Sequence, residues 1–481
     1  MKPSHLTVAL RDRSTEVRAD SLQDGAKVFL SSLSCARSMT APAASPLADL
    51  ESAIRGSKPD RAAQAAIDAI RGKASLLDVV RSAGLAFAAH YDAELAAAPR
   101  AVVALCSAVN LSAVLPPRLH SLPVLQAVTF LAAEKKADHP AKPPALVSGE
   151  VTHLGRSFLF AVRAGDRSEA ESIFLGMLAE GKERKMVGDM LFRAAIEDMG
   201  EGGRKVAVAV RSWQLARHLG FREARVILRP AVQYLVAGPR DRTAFETIMA
   251  VLGKEWVDLE ALASGGRPLD DAARTKIRGI ASAADPSACV AATLALLRDG
   301  YAAVSIVEGL AVEASRRVLG AKGYDADVAR AVIFSDVVRF ILTFSRTSER
   351  LYALFQAALR IRSPEPPSLP LSELEERGET DELGRLAAEL DARKPVDAAA
   401  RTRAYLAHGY ATSRLLEVLA NHASRDSASA NGGINLIFAD ACVTEFLASK
   451  APEIPMALAK MIAASRKDQA PFAAWEPQLT A

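Results

Sequence analysis

Along most of this chain apolar residues fall three and four positions apart, the period of a helix with one buried side. Residues 161–198 show it most clearly. Ala170, Ile173, Phe174, Met177 and Leu178 line one face, behind Asp166 and Ser168, whose side-chain oxygens can accept from first-turn amides. Gly181 stands where that helix should stop, because glycine takes the left-handed turn at little steric cost. A second run continues through Met186, Met190, Leu191, Ala194 and Ala195. The segment predicts a helical hairpin.

Similar hairpins recur. One opens at K-P-D-R-A-A-Q, with Asp60 as cap and Gly72 as stop, and its second helix carries Leu76, Leu77, Val80, Leu85 and Phe87. Another begins at Asp285-Pro286 and stops at Gly300; proline suits a first turn, where its missing amide had no partner. A poorer copy, G-E-T-D-E-L-G-R-L-A-A-E-L-D-A-R-K-P, ends at Pro395. The interval is about a hundred residues, too long for a short two-helix repeat. The expectation is an all-α chain of tandem multi-helix units, degenerate internal repeats stacked into one helical array. The units span 47–140, 146–262 and 270–362, with a degraded fourth at 371–460. Residues 1–46 read as a weakly ordered leader, 363–370 as a proline-stiffened linker, 424–433 as a polar loop and 461–481 as a fraying tail.

Composition narrows the class. Half of the 481 residues are hydrophobic but only 5% are aromatic, which favours close packing of small-residue helices. Sixty Lys and Arg face 56 Asp and Glu in an interspersed order, giving little support to nucleic-acid or acidic-membrane binding. Arg222, Arg225 and Arg229 form one basic stripe, read as a solvated helix face. Cys35, Cys106, Cys289 and Cys442 are far apart and fit no zinc or iron–sulfur spacing. No apolar run is long enough to span a bilayer, and the N-terminus lacks a secretory core. A reducing, cytoplasmic setting fits.

Candidate chemistry rests on a few residues. Glu150 and His153 form the sole E-x-x-H, a spacing that puts a carboxylate and an imidazole on one helix face. Helical bundles that bind two metals use such pairs, so a first-row transition metal is the cofactor to test. A full site would need a second pair. His90 with Glu94, His408, Glu197 or Asp198, and Glu313 sit late in successive units; stacking would bring them to one cavity, and otherwise they are solvated helix ends. His218 reads as a cation at a helix C-terminus. Asp336 and Arg339 read as a buried couple in the most apolar helix. Nucleotide-binding and hydrolase motifs are absent.

The H-L-G at His153–Gly155, the A-H-G-Y at Ala407–Tyr410 and the A-L-R-x-G-D-like hairpins resemble questin-oxidase-like proteins and the helical domains that accompany Rieske modules. The resemblance implies oxygen-dependent cleavage of polyketide quinones and carries over His153 and His408. Two functions therefore stand. One is a helical oxidoreductase acting on a small apolar or aromatic molecule in an internal cavity. His153, His408 and His90 would then be acid–base or metal groups, with Glu150 as carboxylate partner. The other is a non-catalytic repeat scaffold that holds a protein partner on a concave face.

Overall fold

Helix forms wherever the 3.6-residue pattern runs. The computed structural model describes residues 46–480 apart from Ala96, Ala141, Gly181 and Lys182. Among these there is no strand, only a parallel bridge between Arg267 and Tyr301. The chain is all-α. None of the described helices is long and apolar enough to cross a membrane. The expected leader lies outside the described residues, save Pro46.

One five-helix plan occurs four times. Its first occurrence is α1 (Pro46–Arg55), α2 (Pro59–Arg71), α3 (Leu76–His90), α4 (Arg100–Ser112) and α5 (Leu122–Ala133). The second is α6 (Val151–Ala164), α7 (Arg167–Glu180), α8 (Arg184–Ile196), α9 (Gly200–His218), a short α10 (Ala224–Ile227) and α11 (Arg229–Ala237). After α12 (Thr243–Lys254) and α13 (Leu259–Ala263) comes the third: α14 (Asp271–Ala281), α15 (Pro286–Arg298), α16 (Ala303–Gly320), α17 (Ala326–Phe344) and α18 (Leu351–Arg360). The fourth is α19 (Glu379–Asp391), α20 (Pro395–Ala407), α21 (Thr412–Arg425), a short α22 (Ala428–Asn431), α23 (Ile434–Ser449) and α24 (Glu453–Ala464), and α25 (Ala470–Thr480) ends the described chain. In every occurrence the first helix packs on the second and third. The closing helix (α5, α11, α18 or α24) packs on the second, third and long fourth.

The long fourth helices carry the arrangement. α4 packs on α9, α9 on α17, α17 on α23, and α23 back on α4. Around this ring α8 touches α18, α16 touches α24 and α21 touches α5. Residues 46–480 thus close on themselves instead of running out as an open stack. Small residues make the approach possible: α4 buries Ala101, Ala104 and Ala108 alongside fully buried Leu105 and Leu111. Each such leucine contributes about 2 kcal/mol by leaving water.

Local chemistry explains the boundaries and corrects several expectations. Asp166 accepts from the Glu169 amide at 2.9 Å, and Asp285 accepts from Ser287 and Ala288. Asp60 is not a cap: Lys58 holds that position and Pro59 opens the helix. At its end Gly72 has φ −75°, and Lys73 makes the left-handed turn instead. Gly181 lies outside the described residues. The fourth hairpin lies one helix later than its sequence pattern predicts, since α20, which ends before Gly409 (φ +73°), occupies the place of α2, α7 and α15. The polar stretch 424–433 is partly helical, and α25 lies in the expected tail, where Gln64 donates to Gln478 at 3.1 Å. The proline-rich 363–370 is a strap on α16, and residues on both sides of it belong to one compact unit. Arg317 donates to the Ser363 carbonyl at 3.1 Å and to that of Ala281 at 2.8 Å.

Candidate binding site at the mouth of the helix ring

The four ring helices point the same way. Cys106 meets Gln214 and Asn110 meets His218, so α4 and α9 advance together. Gly432 lies beside Arg100, and Asp440 accepts from Asn110 at 3.2 Å, so α23 follows the same sense. Arg211 on α9 reaches Asp336 on α17, and Arg339 reaches Glu445 on α23. All four N-termini therefore open at one end.

At that end lies a cleft of about 490 Å³, counting the part open to solvent. Its walls repeat one register. Arg100 opens α4, and Arg204 and Arg330 are the fifth residues of α9 and α17, with Ile434 in the fourth place. One turn on come Val103, Ala207, Ile333 and Ile437. Phe334 completes the wall and is buried. Gly203 holds φ +83° just before Arg204, and a side chain there would strike the Phe334 ring at 2.4 Å. Glycine allows both the turn and the contact. The surface presented is apolar, with guanidiniums at the rim.

Below the cleft the ring interior is ionic. Arg211, 2% exposed, lies 2.5 Å from Asp336 and 3.0 Å from Asp440; Arg339 lies 2.7 Å from Glu445. Asn110 bridges Asp440 to Nε2 of His218 at 3.0 Å. Arg211 and the three carboxyl groups are buried, while Arg339 is partly exposed. Burial pushes Asp440 up to about 6 and Glu445 up to about 7, and raises Asp336 too, against the pull of the arginines. Burial also pushes the Cys106 thiol up to about 12, so it is an inert packing group here.

The expected Asp336–Arg339 couple is replaced by this wider pairing, because each side chain points to a different neighbouring helix. His218 is not a helix-end cation: burial, with Arg217 and Arg211 nearby, lowers it to about 4 and leaves it neutral. Of the basic stripe, Arg222 and Arg225 are exposed, whereas Arg229 is buried against Glu171 and donates to the Lys142 carbonyl.

The other sequence-predicted residues have separate surroundings. Glu150 caps α6, accepting from Thr152 and His153 amides at 2.9 and 2.8 Å, and His153 is exposed. Both carboxylate oxygens thus serve the helix. Among the described residues no three His, Cys, Asp or Glu are grouped to hold a metal ion. His90 is buried with Nδ1 3.0 Å from the Ala137 carbonyl. His408 ends α20 beside the Tyr410 ring. Unlike His90, it does not belong to a third helix; in the fourth segment that helix carries His422, which bonds the Val418 carbonyl at 2.8 Å. Glu197 pairs with Arg163, Asp198 with Lys205 and Glu313 with Arg316. Glu94 pairs with Arg167 at 2.9 Å. None of these residues lines the cleft.

The cleft left a trace in the sequence that hairpin matching passes over. R-A-V-V at 100, R-K-V-A at 204, R-A-V-I at 330 and I-N-L-I at 434 share a register in which positions one and four face the axis. The chain matches no protein-family model, no curated protein and no solved structure.

Proposed function

We propose that this chain is a non-catalytic helical binding protein that receives a small apolar molecule at the mouth of its helix ring. The observation that supports the reading is the shared register of the cleft. Four segments about a hundred residues apart each turn an aliphatic or small side chain, Val103, Ala207, Ile333 and Ile437, toward one space. The enclosed part is small, about 50 Å³, and the rest is an open mouth, so the apolar walls would hold a ligand lying at the entrance. The oxidoreductase reading draws on His153, His408 and His90, whose separate surroundings give it no common centre.

Fluorescence titration with the neutral probe N-phenyl-1-naphthylamine tests the proposal. The native protein should bind it at a single site, and Ala207→Trp, which places an indole in the cleft, should weaken binding at least tenfold with unchanged circular dichroism. Equal affinity in both proteins would overturn the reading.

A further inference from the structure

The rim carries a pattern that an apolar ligand alone does not need. Arg100 opens α4, and Arg204 and Arg330, each the fifth residue of its helix, stand level with it around the mouth. Three guanidiniums thus share the end where the parallel helix dipoles leave positive potential. No acidic residue lines the cleft. The neighbouring carboxylates are Glu201, 2.8 Å from Arg204; Asp327, 3.1 Å from Arg330; and Glu134, 3.9 Å from Arg100. Asp327 is shared with a fourth guanidinium, Arg360, at 3.0 Å. Nε of Arg100 is buried and makes no hydrogen bond, because Glu134 stands beyond bonding distance. Counting Arg360, the rim thus holds four guanidiniums against three carboxyl groups.

Building on the binding function proposed above, we infer that the ligand is an amphiphilic organic acid: an apolar body in the cleft and one carboxylate- or sulfonate-type anion held by Arg100, Arg204 and Arg330. Guanidiniums match such groups with paired donors, and charged hydrogen bonds in a partly dry site outweigh neutral ones. Ile434, in the fourth place, leaves an apolar quarter along which the body can enter.

A matched pair of probes separates this inference from the reading beneath it. 1-Anilinonaphthalene-8-sulfonate and N-phenyl-1-naphthylamine share a ring system and differ by the sulfonate. The native protein should bind the sulfonate at least tenfold more tightly, and the preference should shrink as sodium chloride is raised. The triple variant Arg100→Gln, Arg204→Gln, Arg330→Gln should lose the sulfonate preference and bind both probes alike, with circular dichroism reporting that it has folded. Equal affinity of the native protein for both probes would overturn the anionic ligand and leave the apolar cleft standing. Retained sulfonate preference in the triple variant would show that these arginines are not its receptor. Failure of both probes to bind would remove the cleft as a site altogether.

Discussion

The guanidinium of Arg211 lies 2.5 Å from the carboxylate of Asp336, joining α9 to α17 inside the helix ring where neither side chain meets water. Such a pair says little about net stability, because removing two charges from water costs nearly what their attraction returns. Breaking it is different. Asp336→Ala leaves Arg211 with Asp440 alone and should lower the free energy of unfolding by about 3 kcal/mol. Arg211→Met alone strands Asp336 and Asp440, and combining it with Asp336→Ala should cost less than the two single losses added together, as for groups that share one contact. Urea unfolding of the three variants measures this; a double variant at least as weak as the sum of the single losses would contradict the pairing.

The ring interior also fixes a pH dependence. Unfolded, Asp440 and Glu445 titrate near their ordinary values of 3.8 and 4.5; folded, they titrate at about 6 and about 7. The native state therefore holds more protons across that interval, and stability present below it is lost as pH rises through about 7. Glu134, raised by burial to about 7, adds to the trend; His218, lowered to about 4, opposes it with one group. Melting temperature should fall between pH 5 and pH 7.5, and Glu445→Gln should flatten the slope. An unchanged slope in that variant would place the titration elsewhere.

A buried ammonium adds to the packing between the third and fourth segments. Lys460 on α24 donates to the carbonyls of Val318 and Leu319, both at 2.7 Å, and to that of Ala321, tying the fourth segment to the end of α16. Lys460→Met keeps the aliphatic stem and removes three donors. It should cost about 2 kcal/mol, because the Leu319 and Ala321 carbonyls lose the ammonium and Val318 keeps only the Ala321 amide at 3.3 Å. Thermal unfolding of the variant checks this, and a stability equal to the native value would show the contact to be dispensable.

Gly203 is the point where backbone and cleft meet. At φ +83°, with Phe334 against it, even Gly203→Ala combines a strained turn with a collision. The variant should lose about 2 kcal/mol and bind N-phenyl-1-naphthylamine more weakly. Stability and binding unaffected together would mean the turn relaxes freely.

Much of the fold was readable because helix periodicity is local. The caps at Asp166 and Asp285 follow from residue type, and the long interval between hairpins matches the spacing of the five-helix segments. What hairpins cannot show is how segments meet. Asp336 reads beside Arg339 in sequence, yet each turns to a different helix, and Arg211, 125 positions away, supplies the partner. His408 reads like His90 because both end helices, but the helices differ in place. The cleft was spelled out by Arg100, Arg204 and Arg330. Its signal lies in the register of ring helices that are apolar almost all round, where amphipathic pattern is weakest.

Hydrogen exchange with and without bound 1-anilinonaphthalene-8-sulfonate tests the central claim, that four distant segments frame one site. Amides in the first two turns from Arg100, Arg204, Arg330 and Ile434 should gain protection together, while those around His153 and His408 stay unchanged. Protection confined to one of the four, or appearing at the histidines instead, would contradict it.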